Sequence, residues 1–149
     1  MDLHGTYSFN EPVAAVWARL IDPKVVAACL PGCERLEPIG EDKYRAKMNM
    51  TVAAITGNYE GTVAIVDKQP PRQYRLLIDG QGRTGFVKGE ASLELNEEDG
   101  KTTVTVNGTA EVGGLIARVG QRLLGSVSKM MMDRFFVCCQ ASAEPKQNA

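Results

Sequence analysis

The sequence predicts an α+β fold in which one curved antiparallel β-sheet wraps around a long C-terminal helix. Apolar and polar residues alternate with a period of two in five successive segments between residues 44 and 110, as in half-buried strands. A shorter alternating segment and two short helical patterns precede these segments, and a longer helical pattern follows them. At 149 residues the chain is long enough for one hydrophobic core and one domain.

The N-terminal part is predicted to form one strand and two short helices. Residues 6–9 alternate between polar and apolar. Asn10 can cap a helix that has Pro12 in its first turn, where a missing N–H costs nothing. Asp22-Pro23 should end this helix and start a second one, which Pro31-Gly32 would then end.

The five alternating segments are predicted to form an antiparallel meander. Turns containing glycine or proline precede or separate them at 38–40, 69–71, 80–82 and 98–100, and the last of these is typical of a tight hairpin. The same side of each segment carries its apolar residues. We therefore expect one face of the sheet to be apolar throughout.

The C-terminal third is predicted to form a single helix of about twenty-five residues that packs on the meander. Its apolar stripe would consist of Val112, Leu115, Ile116, Val119, Leu123, Val127, Met130 and Val137, with Leu124, Met131, Met132 and Phe135 outside it. Residues 1–140 are expected to form the domain, and residues 141–149 a polar flexible tail.

A combination of short motifs runs along this predicted fold. The motifs are Val16-Trp17, Leu20-Ile21-Asp22-Pro23, Leu30-Pro31-Gly32-Cys33, Tyr59-Glu60-Gly61, Gly85 to Leu95, and Val112-Gly113-Gly114-Leu115 followed by Phe135-Phe136. With them, roughly residues 2–137 resemble the carbon monoxide dehydrogenase CoxG family of the START-like (SRPBCC) superfamily. The resemblance implies the helix-grip fold, whose START-like members commonly hold lipids, sterols or polyketides between sheet and helix.

An apolar cavity between sheet and helix is the predicted binding site. Inward positions of the meander include small residues, Gly61, Gly89, Ala91, Gly108 and Ala110, which would leave space. The residues expected to line the cavity are Leu30, Pro31, Met48, Met50, Tyr59, Val87, Leu115, Val119 and Leu123. The same pattern also fits a filled core in which the glycines permit tight sheet curvature, and the resemblance favours the cavity.

No catalytic residue is expected. The carboxylates of the meander, Glu60, Glu90 and Glu94, share the outward parity of their strands. The single histidine, His4, has no evident nucleophile or carboxylate partner. The chain is therefore predicted not to be an enzyme and to require no cofactor.

Charge and cysteine content restrict the partners and the compartment. Lys and Arg total 17 and Asp and Glu total 18, so the chain lacks the positive charge typical of nucleic-acid binding. The N-terminus has no signal-peptide pattern and no segment is apolar enough to span a membrane, so a cytoplasmic protein is expected. Its cysteines are expected to be reduced, and Cys29 and Cys33 are not expected to hold a metal.

A basic ridge is predicted beside the apolar stripe of the C-terminal helix. Arg118, Arg122 and Lys129 fall within ~40° of one another on a helical wheel. Such a ridge would contact anionic lipid head groups or an acidic patch on a partner protein. A solvated helix face is the alternative. Any membrane contact would be peripheral, at the inner face of the cell membrane.

The resemblance implies a non-catalytic accessory protein that helps bring a molybdenum-containing carbon monoxide dehydrogenase, or a related hydroxylase, to the membrane. The ligand it implies is a respiratory quinone such as menaquinone, or another lipophilic molecule. Two alternatives remain open. One is a START-like cyclase or hydratase acting on an aromatic or polyketide substrate, with Tyr44, Tyr59 or Tyr74 as acid–base groups. The other is an interaction module with a closed core.

Overall fold

The structure, a computed structural model, describes residues 1–52 and 55–142. The strands are β1 (Asp2–Phe9), β2 (Cys33–Gly40), β3 (Lys43–Met50), β4 (Gly57–Gln69), β5 (Gln73–Gly82), β6 (Gly85–Glu98) and β7 (Lys101–Gly113). The helices are α1 (Val13–Leu20), α2 (Pro23–Cys29), a 3-10 helix (Leu115–Val119) and α3 (Gln121–Ser142). The described strands form one antiparallel sheet in the order β1-β7-β6-β5-β4-β3-β2. The predicted fold class is confirmed.

Strand β2 is an addition to the predicted meander. It pairs with β3 at the edge of the sheet, although residues 38–40 are predicted as a turn. Its pairing is irregular, with register shifts next to Cys33 and Pro38. Proline lacks the N–H that a central strand needs, and an edge strand tolerates it. The irregular register also hides the alternation by which the other strands are recognised.

Local capping sets the ends of the short helices. Pro12 precedes α1 without a side-chain cap, and the Glu97 carboxylate instead accepts a hydrogen bond from the Val13 N–H at 2.7 Å. The prediction that Asn10 caps this helix is therefore wrong. Asp22-Pro23 starts α2 as predicted, and the structure adds that the Asp22 side chain caps this helix by accepting a hydrogen bond from the Lys24 N–H at 2.9 Å.

The C-terminal segment is not the single helix that is predicted. Val112 lies in β7, and the following residues form the 3-10 helix before α3 begins at Gln121. Gly114 and Gly120, which flank the 3-10 helix, have φ of +82° and +93°, a conformation open mainly to glycine. The two glycines interrupt the helix. The first two residues of the predicted flexible tail belong to α3, and residues 143–149 lie outside the described residues.

This interruption rotates the inward face of α3 relative to the prediction. Val127 and Phe136 are buried, whereas Val137 is 61% exposed. Met132 and Phe135, which are predicted to lie outside, pack against the core. The helical wheel fails because it assumes one continuous helix across a segment that changes direction at Gly114 and Gly120.

The packed core lies toward one end of the concave face of the sheet. There the sheet meets α1, α2 and the C-terminal half of α3. The buried residues of this core are Phe9, Val16, Trp17, Leu20, Cys29, Tyr74, Ala91, Leu93, Leu95, Val104, Val106, Phe136 and Cys139. The Trp17 and Tyr74 rings meet edge to face with centroids 5.4 Å apart. The Tyr7 ring stacks on Phe136 at 4.2 Å, which fixes α3 against β1.

A disulfide joins Cys29, the last residue of α2, to Cys138 in α3. The two Cα atoms are 5.4 Å apart, within the usual range for a disulfide. The expectation that the cysteines are reduced is therefore wrong for this pair. Cys33 and Cys139 are free thiols. Sequence spacing gave no indication of the bond, since 109 positions separate its two residues.

Candidate functional site

The concave face divides into a packed half and an open half. Inward-facing Tyr74 and Leu93 belong to the packed half and are 3% exposed. The open half contains Ile78, which has the same inward parity on β5 but is 38% exposed. Its inward neighbours Met48, Tyr59, Val63 and Val87 are half-buried. Apolar side chains that face inward and yet retain exposure indicate that α3 does not close over this half.

The glycines on the concave face have two different roles. A Cβ on Gly61 or on Gly108 would lie 2.4 Å from a backbone oxygen of the neighbouring strand, so these residues permit tight sheet curvature and leave no void. Gly80 differs, because a Cβ there would have no neighbour closer than 3.8 Å. The curvature interpretation therefore holds for Gly61 and Gly108, and spare room exists at Gly80.

One group of predicted lining residues comes together at the loop after α2. The Asn49 N–H donates to the Gly32 carbonyl at 2.7 Å, which holds the Leu30-Pro31-Gly32 loop against β3. The Met50 sulfur lies against this loop, 2.9 Å from the position a Cβ on Gly32 would occupy. Met48 pairs with Tyr59 across β3 and β4. These side chains form one side of the open half.

The other predicted lining residues lie on the opposite side, around the 3-10 helix. Val87 pairs with Val112 of β7, three residues before Leu115. Leu115 is 55% exposed and Leu123 is 37% exposed, while Val119 is half-buried. Leu115 and Leu123 thus form an apolar rim at the edge of the open half.

The Tyr59 hydroxyl connects the segments that surround the open half. It donates a hydrogen bond to the Ile55 carbonyl at 3.0 Å and lies 2.8 Å from the Thr84 hydroxyl. Because the single tyrosine proton goes to Ile55, Thr84 donates the second bond. The Thr84 carbonyl in turn accepts from the Ile116 N–H at 2.8 Å. Sequence reasoning missed Thr84, because nothing distinguishes it from an ordinary turn residue, and it placed Ile116 in the apolar stripe without indicating its hydrogen bond to Thr84.

Acid–base groups are scarce on the concave face. The inward positions of β3, β5 and β7 carry no carboxylate or histidine. Glu60, Glu90 and Glu94 are exposed on the convex face, as their parity predicts. Burial raises the pKa of Tyr74, which makes its hydroxyl a poorer acid. In residues 1–52 and 55–142, no group of three or more His, Cys, Asp or Glu could hold a metal ion.

One charged network lies at the junction of α3 and β1. The Asp133 carboxylate accepts hydrogen bonds from the Tyr7 hydroxyl and the Lys129 ammonium, both at 2.7 Å. These bonds lower the pKa of Asp133, the one from Lys129 most. Burial, and then the Asp133 carboxylate, raise the pKa of Tyr7. The network fastens the helix to the edge of the sheet.

The three residues of the predicted basic ridge are not on one helix. Arg118 lies in the 3-10 helix, whereas Arg122 and Lys129 lie on α3, and all three are exposed. Lys129 is paired with Asp133. Arg122 and Lys129 border a shallow groove of about 710 Å³ along α3 that also includes Met130.

A second groove, of about 630 Å³, lies along the sheet and is lined mostly by residues of outward parity, and Ile78, Gly89 and Ala110 of inward parity also border it. Lys43, Leu77, Lys88 and Glu90 are among its lining residues, so its walls mix both signs of charge with apolar groups. Among the described helices, none is both long enough and apolar enough to cross a membrane.

Known proteins share both the sequence features and the fold of this chain. Residues 5–144 match the family of carbon monoxide dehydrogenase subunits named CoxG. None of the curated proteins matches the chain. The crystal structure of a conserved protein from Geobacillus kaustophilus is 38% identical, with a TM-score of 0.94, and the match covers 96% of this chain and 95% of that chain.

More distant structures share the fold. A START superfamily protein from Mycobacterium smegmatis is 10% identical, with a TM-score of 0.77 and coverage of 95% of this chain and 96% of that chain. The Zhui aromatase/cyclase from Streptomyces sp. R1128 is 15% identical, with a TM-score of 0.68 and coverage of 100% of this chain and 96% of that chain. At such identities the likeness concerns the fold alone.

Proposed function

We propose that this chain, which belongs to the carbon monoxide dehydrogenase CoxG family, is a non-catalytic accessory protein that binds a lipophilic ligand. The ligand would lie in the open half of the concave face, between β3–β6 and the N-terminal part of α3. The observation that carries the proposal is the exposure of inward apolar side chains, Ile78 above all, beside a packed half where equivalent positions are buried.

A respiratory quinone such as menaquinone fits the chemistry of this surface. Its apolar tail would contact Met48, Val63 and Val87, and flexible methionines adapt to irregular ligand shapes. The hydroxyl pair of Tyr59 and Thr84 adds a polar group beside these side chains. A ligand that is mostly apolar, with one or two carbonyl oxygens, would satisfy both parts of the surface.

The partner would be a molybdenum-containing carbon monoxide dehydrogenase or a related hydroxylase, which the protein would help bring to the inner face of the cell membrane. Arg118 and Arg122 are exposed and form no ion pair with the described residues. With the apolar rim of Leu115 and Leu123, they would contact anionic head groups or an acidic patch. Lys129 contributes less, because Asp133 neutralises it.

The cyclase or hydratase alternative has less support. It requires a tyrosine that is free to exchange a proton with substrate, whereas the Tyr59 hydroxyl is already bonded to Ile55 and Thr84. Tyr74 lies in the packed half, where burial raises its pKa. The aromatase/cyclase neighbours share only the fold with this chain.

Lipid extraction of the purified protein followed by mass spectrometry tests the ligand. We expect a quinone to co-purify with the wild type and to be lost from Gly80→Leu, whose side chain would extend from the position with spare room. Gly40→Leu is the matched control, because Gly40 is exposed at the β2–β3 turn and its nearest neighbour would be 3.9 Å away. Equal quinone content in both variants, or none in the wild type, would contradict the proposal.

Binding of the partner is tested separately. The wild type and an Arg118→Glu/Arg122→Glu variant would be compared for co-elution with a purified molybdenum hydroxylase and for sedimentation with vesicles that contain anionic lipid. We expect the charge reversals to weaken at least one of these interactions. Unchanged binding in both assays would show that Arg118 and Arg122 contact neither the partner nor the membrane.

A further inference from the structure

We propose that the Cys29–Cys138 bond is a reversible thiol–disulfide site that controls whether α2 and the loop after it are held against α3. The proposal rests on the proposed function in one respect, because it assumes that the protein works on the cytoplasmic side of the membrane. Thiols there are kept reduced, and the disulfides that do occur are usually transient and redox-sensing. A disulfide in this protein therefore calls for a regulatory role.

The attachment of α2 depends on this bond. Cys29 is the buried residue of the helix, and the other positions of α2 are half-buried or exposed. A helix of seven residues is too short to be stable without tertiary contacts. Its last residue is covalently fixed to α3. Breaking the bond would thus remove the strongest constraint on α2.

The bond also lies beside the open half of the concave face. Cys29 is followed directly by Leu30, Pro31 and Gly32, which form one side of the open half. That loop is held on its far side by the hydrogen bond from Asn49 to Gly32. With the disulfide intact, the loop is fixed at both ends. After reduction, only the hydrogen-bonded end next to β3 would remain fixed.

The two free thiols are poorly suited to exchange with this disulfide. Burial raises the pKa of the Cys139 thiol to about 12, and burial also raises the pKa of Cys33. The thiolate is the attacking species, so neither residue competes effectively near neutral pH. The state of the Cys29–Cys138 pair would therefore respond to an external thiol or disulfide.

A dithiol reductant is the co-reactant. One of its thiolates attacks the sulfur of half-buried Cys138, the S–S bond breaks, and Cys29 leaves as a thiolate that takes up a proton. The second thiol of the reductant then attacks the mixed disulfide and releases Cys138 as a thiol. The reductant gains a disulfide and loses two electrons, and the protein gains two thiols. Disulfide exchange with oxidised glutathione reverses the reaction.

Thiol counting on the native protein tests reversibility. After incubation with oxidised glutathione we expect two free thiols per chain, Cys33 and Cys139, and after dithiothreitol we expect four, each counted after denaturation with an alkylating reagent. A pair that dithiothreitol cannot reduce without unfolding, or that stays reduced in oxidised glutathione, would overturn the proposal.

Hydrogen–deuterium exchange tests the structural consequence. We expect amides of residues 23–32 to exchange faster, on the order of tenfold, in reduced than in oxidised wild type. Cys138→Ala should resemble the reduced protein under both conditions, and the matched control Cys33→Ala should still respond to the redox state. Identical exchange in the two states of the wild type would refute the proposed control of α2.

Menaquinone transfer to vesicles separates this inference from the proposed function. If the ligand is bound, its release should be severalfold faster from the reduced protein. If no menaquinone binds in either state, the proposed function fails, while the exchange data still decide whether the disulfide controls α2. If menaquinone binds and its release is identical in both states, control of ligand release by the disulfide is refuted.

Discussion

Replacing Tyr59 with phenylalanine should lower the free energy of unfolding by about 1–2 kcal/mol, because two hydrogen bonds are lost and each contributes ~1 kcal/mol net. The bonds join the Tyr59 hydroxyl to the Ile55 carbonyl at 3.0 Å and to the Thr84 hydroxyl at 2.8 Å, in a partly buried setting. Thr84→Val should cost less, since it removes only one of them. The backbone bond from Ile116 to Thr84 stays in place in both variants.

The assay is urea unfolding followed by the fluorescence of Trp17, the single tryptophan, which lies in the packed core. A double-mutant cycle of Tyr59→Phe and Thr84→Val should give a coupling energy of about 1 kcal/mol. Strict additivity of the two single variants would refute the bond between the hydroxyls. A Tyr59→Phe variant with wild-type stability that loses cyclase or hydratase turnover would instead favour the enzymatic alternative.

Three further predictions concern stability and reactivity. Because the pKa of Asp133 is lowered, its carboxylate stabilises the folded protein above roughly pH 4, and this stabilisation is lost as pH falls. The free energy of unfolding should therefore decline less between about pH 6 and pH 3 in Asp133→Asn than in the wild type. An equal decline in urea titrations would contradict this. Gly125→Ala should raise the free energy of unfolding by about 0.5–1 kcal/mol, because Gly125 is in a helix and a Cβ there meets no atom within 4 Å. A lower melting temperature would contradict it. In native protein near neutral pH, an alkylating reagent should label Cys33 well before Cys139, as judged by peptide mass spectrometry; the reverse order would conflict with the burial of Cys139.

The alternating pattern predicts β3 to β7 and their inward faces, because each of these strands pairs regularly over most of its length. In such strands parity alone assigns a side chain to one face. The hairpin at Asp99-Gly100 is also predicted from its own residues, because both adopt the positive φ that the turn requires. Strand β2 could not be predicted in this way, because Pro38 and two register shifts break its alternation.

The candidate site is harder to predict from the sequence than the fold is. Its rim depends on which residues of α3 face the sheet. Gly114 and Gly120 determine this, because their backbone conformations interrupt a segment whose sequence pattern is that of one continuous helix. The Tyr59–Thr84 bond and the Cys29–Cys138 bond join residues that are 25 and 109 positions apart. Such contacts arise from tertiary packing, and no local pattern encodes them.

The open half and the curvature of the sheet have a common physical origin. Gly61 and Gly108 let neighbouring strands approach so closely that any side chain would collide with backbone, and this allows the sheet to bend around α3. The bend brings Leu93 and Val106 into contact with the helices at one end. Toward the other end, Gly80 adds no side chain that could fill the space beside Ile78. Small residues therefore both shape the sheet and leave part of it uncovered, and the sequence alone cannot distinguish the two roles because both require the same amino acid.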